Sequence, residues 1–232
     1  MTPLVTIGIP CYNAADTLKA ALDSALAQVW PVCEILVVDD GSRDMSPVVA
    51  SAFGEQIQII HTGRRGSAYA RNLIMREART EWIQYLDADD VLEQGKIEGQ
   101  LAETNGGEDA DVIYSPVWVE KMRNGALHRE VAEVGPTDDL HAAWLAWRLP
   151  QIGGCLWRRS TLLDIGGWRE DQPCCQEYEL YFRALREGIR WKHAPTPGAV
   201  YRILSDDTQS RRDPALTIRV RTKRIDQMKR WM

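Results

Sequence analysis

The chain has 232 residues, 44% of them hydrophobic and 26% charged, a balance that suits one large globular domain and excludes a peptide hormone, a disordered polymer and a membrane-embedded bundle. Its net charge of −5 conceals an asymmetry: residues 208–232 hold eight Lys/Arg against two Asp/Glu, so an acidic body carries a basic tail. Binding along a nucleic-acid backbone needs a broad basic face, so no nucleic-acid partner is expected.

In chain order, Val5-Thr-Ile-Gly-Ile9 reads as a strand stopped by Pro10, and Ala15 to Gln28 places Leu18, Ala21, Leu22, Ala25 and Leu26 on one helical stripe. Glu34-Ile-Leu-Val-Val38 is a second strand, followed by Ser46 as N-cap and Pro47 as the first residue of a helix through Phe53. Ile57 to Ile60 and a helix from Ser67 to Ala78 form a third unit, and Trp82-Ile-Gln-Tyr-Leu86 is a fourth strand running into Asp87-Ala-Asp-Asp90. Such alternation predicts a mostly parallel sheet covered by helices, with ligands bound beyond the carboxyl ends of its strands.

Beyond residue 106 the pattern loosens. Asp111 to Glu120 reads as a strand, Asn124-Gly125 as a hairpin turn, and Thr137 to Leu149 as a Trp-rich helix. Gly153 to Arg158 reads as extended, Thr161 to Ile165 as a short helix stopped by Gly166-Gly167, Glu177 to Arg186 as a helix, and Val200 to Ile203 as a last strand. Residues 1–106 are therefore expected to form the regular βα half of the domain, 107–210 to complete the same sheet and form the second wall of its cleft, and 211–232 a basic helix. The five cysteines (Cys11, Cys33, Cys155, Cys174, Cys175) make no C-x-x-C pair, and no run of about 18 apolar residues or leader pattern is seen. The sequence reads as a cytoplasmic protein from a reducing compartment.

Chemistry concentrates in the loops after the strands: Pro10-Cys-Tyr-Asn13, Asp39-Asp-Gly-Ser-Arg-Asp44, His61 to Gly66 and Asp87-Ala-Asp-Asp90. Two carboxylates at i and i+2 in a turn after a buried strand can hold a hard divalent cation beside sugar hydroxyls. With Asp39-Asp40 at a neighbouring strand end, the crevice suits a cation bridging a diphosphate.

Val5 to Asn13, Ile35-Leu-Val-Val-Asp-Asp-Gly-Ser-Arg-Asp44, Gly66-Ser-Ala-Tyr-Ala-Arg-Asn72, Tyr85-Leu-Asp-Ala-Asp-Asp90 and Asp164-Ile-Gly-Gly-Trp168 follow one another as in family 2 glycosyltransferases. From about residue 4 to about 210 the chain resembles that family of inverting, GT-A fold enzymes. The resemblance implies a Rossmann-like central sheet with a smaller acceptor-side portion. It also implies transfer of a sugar from a nucleotide-diphosphate sugar to a glycan or lipid-linked acceptor, as in cell-surface polysaccharide synthesis.

By the same resemblance Pro10, Tyr12, Asn13, Asp40, Arg71, Asp87 and Ala88 bind the donor nucleotide, with Tyr12 stacking on the base and Asp40 accepting from its imide. That favours a UDP-sugar, although relatives with guanine nucleotides exist. Asp89 matches the metal ligand for Mn²⁺ or Mg²⁺. Gln176-Glu-Tyr-Glu-Leu-Tyr-Phe-Arg183 matches the family's base-bearing helix, which puts Glu177 on the catalytic base and leaves Glu179 in reserve. Trp157, Trp168 and Asp171 are expected at the acceptor. The family's Tyr-Arg-x-His ends here as Tyr201-Arg-Ile-Leu204, so its histidine metal ligand is missing. A catalytically silent sugar-nucleotide binder remains the alternative. A nucleotidyltransferase lacks support, because no Gly-rich, Lys-containing loop follows the first strand. Finally, Ile218, Ile225, Met228 and Met232 fall on one side of the basic tail, which could lie on an anionic bilayer or pack on the domain.

Overall fold

The computed structural model describes residues 5–28, 33–123, 125–135, 139–203 and 213–231. Its centre is a seven-stranded sheet in which the first three βα units run outward from β1 (Val5–Cys11) through β2 (Cys33–Asp39) to β3 (Gln58–His61), all parallel. The chain then crosses to the other side of β1, where β4 (Trp82–Tyr85) also pairs in parallel. That reversal makes the carboxyl ends of β1, β2 and β4 a topological switch point, where open α/β sheets bind ligands.

The helices between these strands are α1 (Leu18–Leu26), α2 (Ser46–Ser51) and α3 (Ser67–Glu77). Leu18, Ala21, Leu22 and Ala25 of α1 are buried, which is the stripe expected from their spacing. Helix α2 begins one residue earlier than expected, because Asp44 accepts from both the backbone N–H (3.0 Å) and the hydroxyl (2.6 Å) of Ser46. Helix α3 lies so close to β1 that a Cβ on Gly8 would stand 2.2 Å from Cγ2 of Ile74, so only glycine fits there.

The second half departs from a simple continuation. A strand expected over Asp111 to Glu120 splits at Ser115-Pro116 into β6 (Val112–Tyr114) and β7 (Val117–Arg123), which belong to different sheets. The central sheet is completed by β9 (Cys155–Arg158), antiparallel to both β4 and β6, and by β10 (Trp191–His193). A second, four-stranded sheet joins β5 (Val91–Leu92), β11 (Ala199–Ile203), β7 and β8 (Ala126–Ala132). Strands β7 and β8 form the hairpin expected at Asn124-Gly125, although Asn124 itself lies outside the described residues. The remaining helices are α4 (Lys96–Glu103), α5 (Leu140–Leu145), α6 (Arg159–Asp164), α7 (Gln176–Arg186) and the tail helix α8 (Pro214–Trp231).

Helix α4 carries a buried lysine into the seam between the sheets. Lys96 Nζ donates to Oε1 of Gln84, whose own amide donates to the carbonyls of Tyr85 (2.6 Å) and Gly153 (2.9 Å). Burial pulls the Lys96 ammonium down to about 7. In the unfolded chain it titrates near 10.5, so between these values the unfolded state binds the extra proton and stability must rise with pH. Below pH 7 the penalty is constant. Wild-type protein is therefore expected to gain up to about 1.4 kcal/mol per pH unit between pH 7 and 10 in denaturant melts, and Lys96→Met to lack most of that slope. Parallel pH profiles for the two proteins would contradict this account of Lys96.

Candidate active site

The strand ends meet around one buried guanidinium. Arg71, 5% exposed on the inner face of α3, donates through Nη2 to Oδ1 of Asp87 (2.6 Å) and through Nη1 to Oε1 of Gln176 (3.3 Å). Its Nη2 also lies 4.0 Å from Oε1 of Glu177. The guanidinium stands 4.8 Å from the Trp168 ring, and the Tyr85 hydroxyl donates to the Arg71 carbonyl (3.1 Å). Although desolvation opposes the charge, the Asp87 and Glu177 carboxylates hold Arg71 above its ordinary value. A planar fork is suited to tying two elements at once. Here it joins the acidic turn after β4 to the first turn of α7.

That turn is fixed from two further sides. The backbone N–H of Asp90 donates to the Asp87 carbonyl (3.0 Å), and the backbone N–H of Arg202 in β11 donates to Oδ1 of the buried Asp90 (2.8 Å). Arg202 Nε donates to the Asp89 carbonyl (2.6 Å). Asp90 is thus a structural carboxylate, and burial together with Asp87 and Asp89 raises it well above the usual range. The Asp89 side chain is exposed, and among the described residues it takes no hydrogen bond from another residue. Partial desolvation and the neighbouring Asp87 charge push it upward. Asp87 and Glu177 are each about one-third exposed, at 30% and 33%, on either side of Arg71 Nη2.

The nucleotide-side residues line the loops after β1 and β2. Asn13 adopts φ 49° and accepts from the Arg43 N–H (2.8 Å), while its own N–H donates to Ser42 Oγ (2.9 Å). Tyr12 is 37% exposed, and the Arg64 guanidinium sits 3.1 Å over its ring. One face of Tyr12 is therefore covered by a cation. Pro10, half-buried, does not stop β1 as expected but pairs with Val38 inside it, the strand ending at Cys11, and Ala88 is buried between the two aspartates.

Asp40 is buried and already engaged: Thr62 Oγ1 (3.0 Å) and the N–H groups of Arg65 and Gly66 (both 2.7 Å) donate to its carboxylate. These bonds shape the 62–66 loop, which packs close enough to Gly41 (φ +75°) that a Cβ there would stand 3.0 Å from the Arg64 nitrogen. Oδ2 accepts from Gly66 alone among the described residues.

Several expectations are corrected. Trp157 is fully buried and stacks on Tyr181 in the core, so it offers no face to an acceptor. Trp168 is 2% exposed and meets Tyr85 edge-on, forming the wall behind Arg71 rather than an acceptor surface. Asp171, by contrast, is exposed and paired with Arg169, which is compatible with its expected place at the acceptor. Glu179 is buried and bonded by Arg183 Nε (3.0 Å) and Nη2 (2.7 Å), while Arg183 also donates to the carbonyls of Ile165 and Gly167. That clamp holds the Gly166-Gly167 turn, so Glu179 is not a reserve base.

The apolar stripe of α8 is largely covered by the domain. Met228 is fully buried and Ile225 packs on the core, which removes the face a bilayer would need and leaves Ile218 exposed. Leu204 and Met232 lie outside the described residues. Among the described residues no helix is long and apolar enough to cross a membrane.

Sequence reasoning missed two contributors. Gln176 was visible only as a departure from the family's glutamate, yet it accepts from both Ser67 Oγ (3.0 Å) and Arg71. Arg202 stands two residues before the position of the missing histidine, and its Nη2 is buried without a partner beside the acidic turn. No local spacing signals either contact, since both span more than 100 residues.

The family model described as glycosyl transferase family 2 matches residues 6–166. The succinoglycan biosynthesis protein ExoU of Rhizobium meliloti is 33% identical over 205 residues, covering 81% of this chain and 58% of that protein. Among solved structures, Staphylococcus aureus TarS 1–349 in complex with UDP-GlcNAc aligns with a TM-score of 0.71 at 16% identity, over 89% of this chain and 60% of that one. The mannosyltransferase PcManGT of Pyrobaculum calidifontis, in complex with GDP-Man and Mn²⁺, aligns with a TM-score of 0.63 at 20% identity, over 86% and 57%. The chain spans between about a third and three-fifths of the length of the curated relatives it matches. These structural likenesses establish the GT-A fold, and the family match over more than two-thirds of the sequence establishes that the chain belongs to glycosyl transferase family 2.

Proposed function

We propose that the chain transfers a sugar from a nucleoside-diphosphate sugar, a UDP-sugar in the first instance, to a glycan or lipid-linked acceptor with inversion at the anomeric carbon. One observation carries the reading. A single buried arginine links the acidic turn to the helix that bears Glu177, so donor site and base form one constellation. ExoU's role in succinoglycan biosynthesis supports a polysaccharide context, and the UDP-GlcNAc bound to TarS supports the donor class.

Glu177 would accept the acceptor hydroxyl proton as that oxygen bonds to the anomeric carbon. The bond to the diphosphate breaks on the opposite face, and the nucleoside diphosphate departs with the electron pair. Arg71 holds Asp87 toward the donor and stands beside the developing charge, and the unpartnered Nη2 of Arg202 offers a second donor. The donor set fits a divalent cation held by Asp89 together with phosphate oxygens, because Mg²⁺-type ions commonly use one or two carboxylates and substrate phosphates. Such a cation, when bound, would offset charge on the leaving diphosphate.

Among the described residues no group of three or more His, Cys, Asp or Glu could hold a metal by itself. Mn²⁺ should therefore bind the free protein weakly and gain affinity only with nucleotide. Calorimetric titration checks this, and micromolar Mn²⁺ binding without nucleotide would contradict it. The function itself is tested by nucleoside-diphosphate release from a panel of sugar donors, with the product anomer read by NMR. Release of UDP with inverted configuration is expected. Retention would overturn the inverting mechanism, and no turnover of any donor would overturn the reading and favour a silent sugar-nucleotide binder.

A further inference from the structure

A cleft of about 400 Å³ lies between the outer face of α7 and the tail helix α8, away from the acidic turn. Its walls carry five arginines, and their charges are not equally balanced. Arg169 is paired with Asp171 (2.5 Å), and Arg183 is neutralised by Glu179 (2.7 Å). Arg224 spends its donors on two neutral amides, Oε1 of Gln227 (2.8 Å) and Oε1 of Gln172 (2.6 Å). Arg186 and Arg230 are exposed, and among the described residues neither they nor Arg224 forms an ion pair with a carboxylate. Loss of hydration pulls Arg224 below its ordinary value, with the Glu179 and Asp171 carboxylates opposing that pull and the charges of Arg169 and Arg183 adding to it. Three guanidiniums with no ion-paired carboxylate among the described residues thus line one cleft.

A favourable charge at a helix end explains less than this. Arg186 and Arg230 both lie in the last turn of their helices, where cations are generally stabilising. That effect does not require two helix ends to converge on one cleft, nor a third, half-buried arginine to stand between them with its donors on neutral amides. Guanidinium forks match phosphate oxygens in pairs, and they do so best where water is partly excluded. The indole of Trp231, 41% exposed, stands at the rim and adds an aromatic wall.

We propose that this cleft is an anion-binding site for a phosphate ester, of diphosphate size, held by Arg186, Arg224 and Arg230. It is distinct from the donor crevice, and it adjoins the base-bearing helix: Arg224 bonds Gln172, whose carbonyl accepts from Gln176 (3.1 Å), the residue before Glu177. The phosphate can belong to a soluble ester or to a lipid headgroup, since both present the same oxygens.

The test uses the full chain without divalent metal and titrates inorganic pyrophosphate by calorimetry, in wild type, in Arg186→Gln/Arg230→Gln and in Arg224→Gln. Wild type should bind below about 1 mM, and each variant should lose about tenfold or more. UDP with Mn²⁺ should stabilise the double variant as it does wild type, which separates this site from the donor crevice. Vesicles of phosphatidylglycerol against phosphatidylcholine distinguish the sources. Pyrophosphate binding together with arginine-dependent capture by the anionic vesicles assigns the phosphate to a lipid, and pyrophosphate binding without capture assigns it to a soluble ester. No pyrophosphate binding at about 1 mM, or equal binding by wild type and variants, overturns the proposal even if vesicles adsorb the chain.

Discussion

Replacing Glu177 by Gln is expected to slow sugar transfer by roughly 10²–10⁴-fold while leaving donor binding nearly unchanged. The substitution keeps the shape of the side chain and removes only its ability to take a proton. Glu177 is 4.0 Å from Arg71 Nη2, longer than a hydrogen bond, and one-third exposed, so little in the fold depends on its charge. If it were merely a favourable charge in the first turn of α7, the variant would lose about 0.3–1 kcal/mol of stability and no comparable activity. Single-turnover rates and donor dissociation constants, measured side by side, separate these outcomes.

Arg71→Met should damage both binding and chemistry, lowering kcat/KM by more than about 10²-fold, because one guanidinium positions both carboxylates. It should also cost stability. Breaking a buried pair typically costs about 3–5 kcal/mol, but Asp87 is 30% exposed and can rehydrate, so about 2 kcal/mol is the better expectation. Arg71→Lys should rescue little, since a single ammonium cannot span Asp87 and Gln176. Full activity in the lysine variant would show that only a positive charge is needed there.

The first four strands were legible because each is a short apolar run ended by turn residues, and the stripe of α1 obeyed helical spacing. The acidic turn and the position of Glu177 were legible through their order along the chain. What was not legible depends on long-range pairing. Helix α4 has only Ile97 and Leu101 as buried apolar residues, and it fills its remaining inner positions with Lys96 and Gln100, whose donors reach Gln84 of β4 and the Gly154 carbonyl just before β9. That pattern looks polar until Gln84 and Gly154 are brought beside it. Strand β10 is three residues long and half-buried, too short for any periodicity. The division of β6 from β7 follows from Ser115-Pro116, a signal that was present but gave no hint of a second sheet. Trp157 and Trp168 were assigned to the acceptor on residue type alone, and burial decides against it.

The same limit explains the tail. Its charge and its apolar side suit a membrane surface as well as a docked helix, and only the burial of Met228 and the contact of Arg224 with Gln172 distinguish the two.

The most direct test of a metal-assisted diphosphate site at the acidic turn is thermal melting of the full chain with UDP, GDP, TDP or CDP, with and without Mn²⁺, in wild type and in Asp89→Ala. Ligand binding to the native state raises stability as RT ln(1 + [L]/Kd), about 2.7 kcal/mol at a hundredfold excess over Kd. One diphosphate, UDP by this account, should stabilise wild type only when Mn²⁺ is present, and Asp89→Ala should abolish the gain. A wild type that no nucleotide shifts, or an Asp89→Ala protein stabilised as fully as wild type, would contradict it.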